Sequence, residues 1–153
     1  MVRDAEGHII IRAISNWVIF DIQTREIRKS ELIAIHFPNI NKEREIDCRL
    51  GKLKPCGPLE IAYKKVIGYS DIDFNGHLNN SKYIDFIMDC FSMERHKQYS
   101  VKAIEVTYIN EALPGETLVL SMDVSALDSN QIYIEGVNDS GDKGVFKALI
   151  VVS

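Results

Sequence analysis

The chain has no run of about 18 apolar residues, so no membrane-spanning helix is expected. Its first residues carry Arg3, Asp4 and Glu6 where a secretion signal would need an apolar core. Cysteine is scarce: Cys48, Cys56 and Cys90 form neither an even set nor a metal-spaced pair. Free thiols in a reducing compartment, and hence a cytoplasmic protein, are the expectation. Positive charge is not in excess, with 18 Lys and Arg against 22 Asp and Glu for a net charge of −4, so nothing favours nucleic acid. Of the four histidines, His8, His36 and His96 lack clustered partners in the sequence, so no metal site is expected. The single tryptophan, Trp17, reads as core. What is present is an apolar fraction of 46% over 153 residues, enough for one domain with a real core, or one domain plus a fragment.

Along the chain, residues 8–22 read as a long β-rich segment, followed by a turn at 23–26. Ser30 is placed to cap a short helix through residue 35, with Glu31 and Leu32 in its first turn. Residues 37–58 hold Pro38, Pro55, Pro58, Gly51 and Gly57 among many charges and read as a linker on a surface. From there the pattern becomes regular. Alternation predicts strands at 59–68, 101–112, 116–127, 131–138 and 145–152, with one helix at 79–97. Turn chemistry separates the later strands, as at Pro114-Gly115 and at 138–144. One strand, one long helix and then a run of strands is an α+β order, with the helix packed on an antiparallel sheet.

Chemistry concentrates between Tyr69 and Asp89, where carboxylates, asparagines and a histidine crowd the entry to the helical stretch. Tyr83, Ile84, Ile87, Met88 and Phe91 recur at helical spacing, and Asn79 or Asn80 would cap that helix. The unpaired N–H groups of a helix start attract negative charge. Asp73, Asn75 and His77 lie at two-residue intervals, so in an extended chain they would point the same way and share one water or one network. Taken singly, Asp73 and Asn75 equally suit a turn and its cap, and His77 a structural hydrogen bond.

The register Asp73-Phe-Asn75-Gly-His77-Leu-Asn79-Asn80, followed by Lys82-Tyr83-Ile84, resembles the second hotdog domain of the fatty acyl-ACP thioesterases. Arg12-Ala13, Ser15, Trp17-Val18, Asp21 and Thr24-Arg25 resemble the end of that family's first hotdog domain. The resemblance implies a hotdog fold, an antiparallel sheet wrapped around one long helix. It divides the chain into 1–36 (the C-terminal remnant of a first hotdog), 37–58 (a linker) and 59–153 (a complete second hotdog). Most of a first unit would then be absent. Glu111 in Tyr108-Ile-Asn-Glu111-Ala112 matches the family's acid, while Ala112 stands where the family often has cysteine, so a cysteine nucleophile there is excluded.

By this resemblance the protein hydrolyses acyl-acyl carrier protein thioesters to free fatty acid, with Asp73, Asn75, His77 and Glu111 as catalytic positions and no cofactor or metal. Asp73 and Glu111 both qualify as the base that activates water. The helix start at Asn79 and Asn80 would face the oxyanion. Lys52, Lys54, Lys64 and Lys65, with Arg25, Arg28 and Lys29, are candidates to dock an acidic carrier protein, scattered surface cations being the alternative. A homodimer, or pairing with a missing first hotdog domain, is expected to cover the open sheet edge. Two other readings fit the same residues: an acyl-CoA thioesterase of the same fold, and a non-catalytic acyl-binding or assembly module.

Overall fold

The computed structural model describes residues 1–21, 23–24, 26–29, 46–47 and 50–153. The helix expected at 30–35, and residues 37–45 and 48–49 of the expected linker, with Cys48, lie outside the described residues. The chain divides into two compact units, Met1–Arg49 and Leu50–Ser153.

In the first unit, the β-rich segment expected at 8–22 contributes short strands to two antiparallel pairs. Strand β1 (Val2–Arg3) pairs with β2 (Ile9–Ile11), and β3 (Ile19–Phe20) pairs with β4 (Ile27–Arg28). Local carboxylates set the turns. Asp4 accepts the His8 N–H at 2.7 Å, and Asp21 accepts those of Gln23 and Thr24 at 2.9 and 3.0 Å, in Asx-turn fashion. Strands this short offer no continuous apolar face. Trp17, read as core, is accordingly 83% exposed, its indole N–H donating to the Ser15 hydroxyl.

The second unit is a five-stranded antiparallel sheet. Strands β5 (Glu60–Val66), β6 (Val101–Tyr108), β7 (Thr117–Asp123), β8 (Gln131–Asn138) and β9 (Gly144–Val152) lie in the order β5-β7-β8-β9-β6. Helix α1 (Asn80–Asp89) comes between β5 and β6 in the chain and packs Tyr83, Phe86 and Ile87 into the core shared with the sheet. Its sheet-side partners include Leu118, Leu120, Ile132, Ile134, Phe146 and Ile150, the alternate residues of the central strands. Phe86 and Ile87 are almost wholly removed from water, worth roughly 1.5–3 kcal/mol each. Gly136 faces Phe146 across β8 and β9, and a Cβ there would lie 2.2 Å from the phenyl ring. Glycine therefore makes room for the aromatic ring on which Tyr83 rests edge-to-face, at 5.3 Å.

The single helix expected over 79–97 is broken. α1 ends at Asp89, and Ser92 caps a second helix, α2 (Met93–Gln98), by accepting the Arg95 N–H. Three strands end earlier than the alternation suggests, β5 by two residues and β6 and β7 by four each. β6 stops at Tyr108 because Ile109 and Asn110 both donate to one carbonyl, that of Val145, and the backbone then leaves the sheet. β7 stops at Asp123, whose carboxylate turns the chain by accepting the Ser125 N–H.

Asp123 is 2% exposed and also accepts the N–H groups of Cys56 and Gly57, each at 2.7 Å. Residues 50–58 of the expected linker are thus part of the second unit, tied down at this carboxylate. The Ser125 hydroxyl and N–H, with those two N–H groups, outweigh the cost of burial and pull the Asp123 pKa down to about 2. Among the described residues no helix is long and apolar enough to cross a membrane.

Candidate active site

The loop from Asp73 to Leu78 is a closed turn, the second of the two geometries open to it in the sequence, not an extended stretch. Ile72 and Leu78 form an antiparallel bridge across its neck. Asp73 donates its N–H to the His77 carbonyl, while its Oδ1 accepts the N–H groups of Asn75 (2.8 Å) and His77 (3.2 Å). Gly76, at φ +81°, supplies the left-handed residue that closes the turn. Slight burial acts to raise the Asp73 pKa. The His77 and Asn75 hydrogen bonds more than offset it and hold the carboxyl below the usual aspartate range. Asp73 and Asn75 therefore shape the backbone that carries His77, the turn-forming role open to them in the sequence.

The His77 ring lies beside Glu111, with Nε2 and Oε2 3.6 Å apart. The two side chains are 38% and 42% exposed, so water and a substrate can reach both. That separation is ion-pair distance, longer than a hydrogen bond, and sites of this kind commonly tighten when a substrate is bound. The two loops are stitched together by the backbone, Leu78 N–H donating to the Ala112 carbonyl at 3.0 Å. Ala112, where the family often has cysteine, is fully buried.

Helix α1 starts beside the His77 loop in the chain. Asn79 is its cap, with Oδ1 accepting both the N–H and the hydroxyl of Ser81, and Asn80 is its first residue. The Asn79 N–H donates to the carbonyl of Asp71, and the Tyr108 hydroxyl donates to the carbonyl of Asn80 at 3.2 Å. Asp71 is 4% exposed, pairs with Lys65 at 3.1 Å and accepts the Gly68 N–H. Burial pushes its pKa up, but Gly68 and Lys65 more than compensate and leave it lowered. The Tyr83 hydroxyl is pushed up to about 12, first by burial and then by Tyr108, Glu111 and Glu116, which places those side chains in one electrostatic neighbourhood.

Neither Asp71 nor Tyr108 is among the candidate site residues of the sequence. Asp71 stands in the polar stretch that leads to the helix, whereas the partner of Tyr108 is 28 residues away. The candidate docking cations are partly occupied. Lys64 pairs with Asp139, Lys65 with Asp71 and Arg28 with Asp21, and Arg25 lies outside the described residues. Lys52 and Lys54 stand exposed on the segment that Asp123 fixes. His8, expected to lack partners, has Asp4 at 3.1 Å and Glu6 nearby; all of this is on the surface of the first unit.

Residues 61–149 match the family model described as the acyl-ACP thioesterase C-terminal domain. The chain belongs to this family. It is 27% identical over 130 residues to the chloroplastic palmitoyl-acyl carrier protein thioesterase of Gossypium hirsutum, covering 81% of this chain and 31% of that protein. An acyl-[acyl-carrier-protein] hydrolase of Cuphea viscosissima is also 27% identical, over 134 residues, covering 83% of this chain and 32% of its own. The chain thus spans about a third of the length of the curated relatives it matches. Among solved structures, an acyl-ACP thioesterase from Bacteroides thetaiotaomicron superposes with a TM-score of 0.70 at 23% identity, over 88% of this chain and 53% of the other. An oleoyl thioesterase from Lactobacillus plantarum superposes with a TM-score of 0.65 at 23% identity, over 98% of this chain and 59% of the other. The family member described here has the hotdog fold of these structures.

Proposed function

We propose that the protein hydrolyses acyl-acyl carrier protein thioesters, releasing free fatty acid and the carrier thiol, with Glu111 and His77 as its catalytic pair. The observation that carries this reading is the 3.6 Å approach of Nε2 to Oε2 between two loops joined by a backbone hydrogen bond. Glu111 is the better base, because Asp73 Oδ1 is already occupied by two N–H groups. Glu111 takes a proton from water as the water oxygen bonds to the thioester carbon. The carbonyl oxygen gains charge, and the Asn80 N–H at the start of α1 donates to it, the Ser81 N–H being taken by the Asn79 cap. As the C–S bond breaks, the proton passes through His77 to the departing thiolate, and Glu111 returns to its carboxylate. General acid–base assistance of this kind is worth about 10²–10⁴ in rate.

The acyl carrier protein is the proposed partner, with Lys52 and Lys54 as cations open to an acidic surface. Residues 1–36 are read as the tail of a first hotdog unit and 59–153 as the second, with 37–58 as a connection whose last residues, 50–58, are fixed on the second unit. Both β5 and β6 are sheet edges, and pairing with a first hotdog unit or a second copy covers one of them. The reading places the protein in the cytoplasm, where the exposed Cys56 thiol stays reduced. The test is hydrolysis of one acyl chain presented on carrier protein and on coenzyme A by the full chain. Faster turnover on the carrier protein supports the assignment. Faster turnover on coenzyme A replaces it with an acyl-CoA thioesterase, and turnover on neither leaves a binding module.

A further inference from the structure

Glu111 lies in a segment, 109–116, that belongs to no strand or helix, so something must hold its peptide in place. One flank is fixed by Leu78 N–H on the Ala112 carbonyl. The other flank is held by the turn between β8 and β9. There Lys143 Nζ donates to the Glu111 carbonyl at 2.6 Å and lies 3.9 Å from Glu116 Oε1, while the Asn110 amide donates to the Gly144 carbonyl at 2.7 Å. Glu116 in turn accepts the Leu113 N–H through Oε2, so Lys143 joins the two acids that bracket the loop.

The turn carrying Lys143 is itself tightly built. Asn138 Oδ1 accepts the Lys143 N–H, and Asn138 Nδ2 donates to Asp142 and to Ser140, with Gly141 at φ +76°. The lysine therefore extends from a fixed base. Its bond to the Glu111 carbonyl is charge-assisted, the stronger class of hydrogen bond.

We infer that Lys143 is a positioning residue for the thioesterase reaction, fixing the Glu111 peptide so that its carboxylate meets His77. This rests on the reading of Glu111 as the base. Lys143 touches no reacting atom; it acts through the orientation of the 111–112 peptide. A side chain displaced by an ångström at a reacting centre costs up to about a hundredfold in rate, with little change in substrate affinity.

The test is Lys143→Met in the full chain, which keeps most of the apolar stem and removes the donor and the charge. The expected result is a fall in kcat of about ten- to a hundredfold with KM held within about twofold, and recovery of most of the loss in Lys143→Arg. In a Glu111→Gln background the same substitution is expected to change kcat by less than about twofold, because the group it positions is already disabled. Unchanged kcat in Lys143→Met, or an equal further loss in both backgrounds, overturns the inference. A crystal structure of Lys143→Met gives a readout independent of turnover. The Nε2 to Oε2 separation is expected to open beyond about 4 Å, the limit of an ion pair, and a separation unchanged from the wild type contradicts the inference. If the wild type hydrolyses neither thioester, the catalytic reading fails and this structural comparison alone decides whether Lys143 positions Glu111.

Discussion

Asp73 and Glu111 are both carboxylates near His77, and their surroundings divide their roles. Asp73 accepts two N–H groups of its own turn, and Glu111 faces the imidazole ring. Asp73→Asn keeps an oxygen acceptor for the turn, so its activity is expected to stay within about tenfold of wild type in a steady-state assay, whereas loss of a true base costs about 10²–10⁴. A loss of that larger size in Asp73→Asn would make Asp73 the base. The polar register around His77 was legible in the sequence, while its geometry, extended or turned, was left open there. Two-residue spacing allowed an extended chain, and Asn75-Gly76, a turn signal, allowed the turn that the structure has. Lys143 and Tyr108 left no sequence signal, since each acts on a backbone carbonyl about 30 residues away, a contact that only the folded sheet creates.

At the scale of elements, α1 links the core to the site. Its start was legible because asparagine caps and helical apolar spacing coincide at 79–91, and Asn79 is the cap. Its end was not, because the apolar pattern runs on to Phe91 across the break, and only Ser92 marked a new start. Asn79→Ala is expected to destabilise the fold by about 1 kcal/mol in urea denaturation, the usual worth of a cap. Stability equal to wild type would mean that the cap is dispensable. Strand β8 was read with its observed bounds, since its turn residues stand clear on both sides. Gly136 within it shows what periodicity cannot carry: the space it leaves belongs to Phe146 on the neighbouring strand. Gly136→Ala is expected to cost about 1–3 kcal/mol through that overlap, and a neutral change in urea midpoint would show that the ring can move aside.

For the whole molecule, the antiparallel sheet on a helix followed from the order of elements, and family membership rests on residues 61–149. The short paired strands of the first unit were not legible as such, because the apolar residues of 8–20 look like one β-rich run, whereas Ile9–Ile11 and Ile19–Phe20 each pair across a separate turn, at Asp4 and at Asp21. Acid stability is set in part by Asp123. Its folded pKa of about 2 lies below the ordinary 3.8, so the unfolded chain binds its proton first as the pH drops. The stabilisation, on the order of 2 kcal/mol, is therefore full above about pH 4 and is lost as pH falls towards 2. Asp123→Asn is expected to flatten the rise of thermal stability between those pH values. An unchanged slope would assign the acid sensitivity to other groups.

The most direct measurement is the rate of acyl-carrier-protein thioester hydrolysis by the full chain, wild type beside Glu111→Gln, at saturating substrate. The expected result is clear turnover by the wild type and a kcat lower by about 10² or more in the variant, with the fold intact by circular dichroism. Equal rates from the two proteins would contradict the pairing of Glu111 with His77 as the source of catalysis.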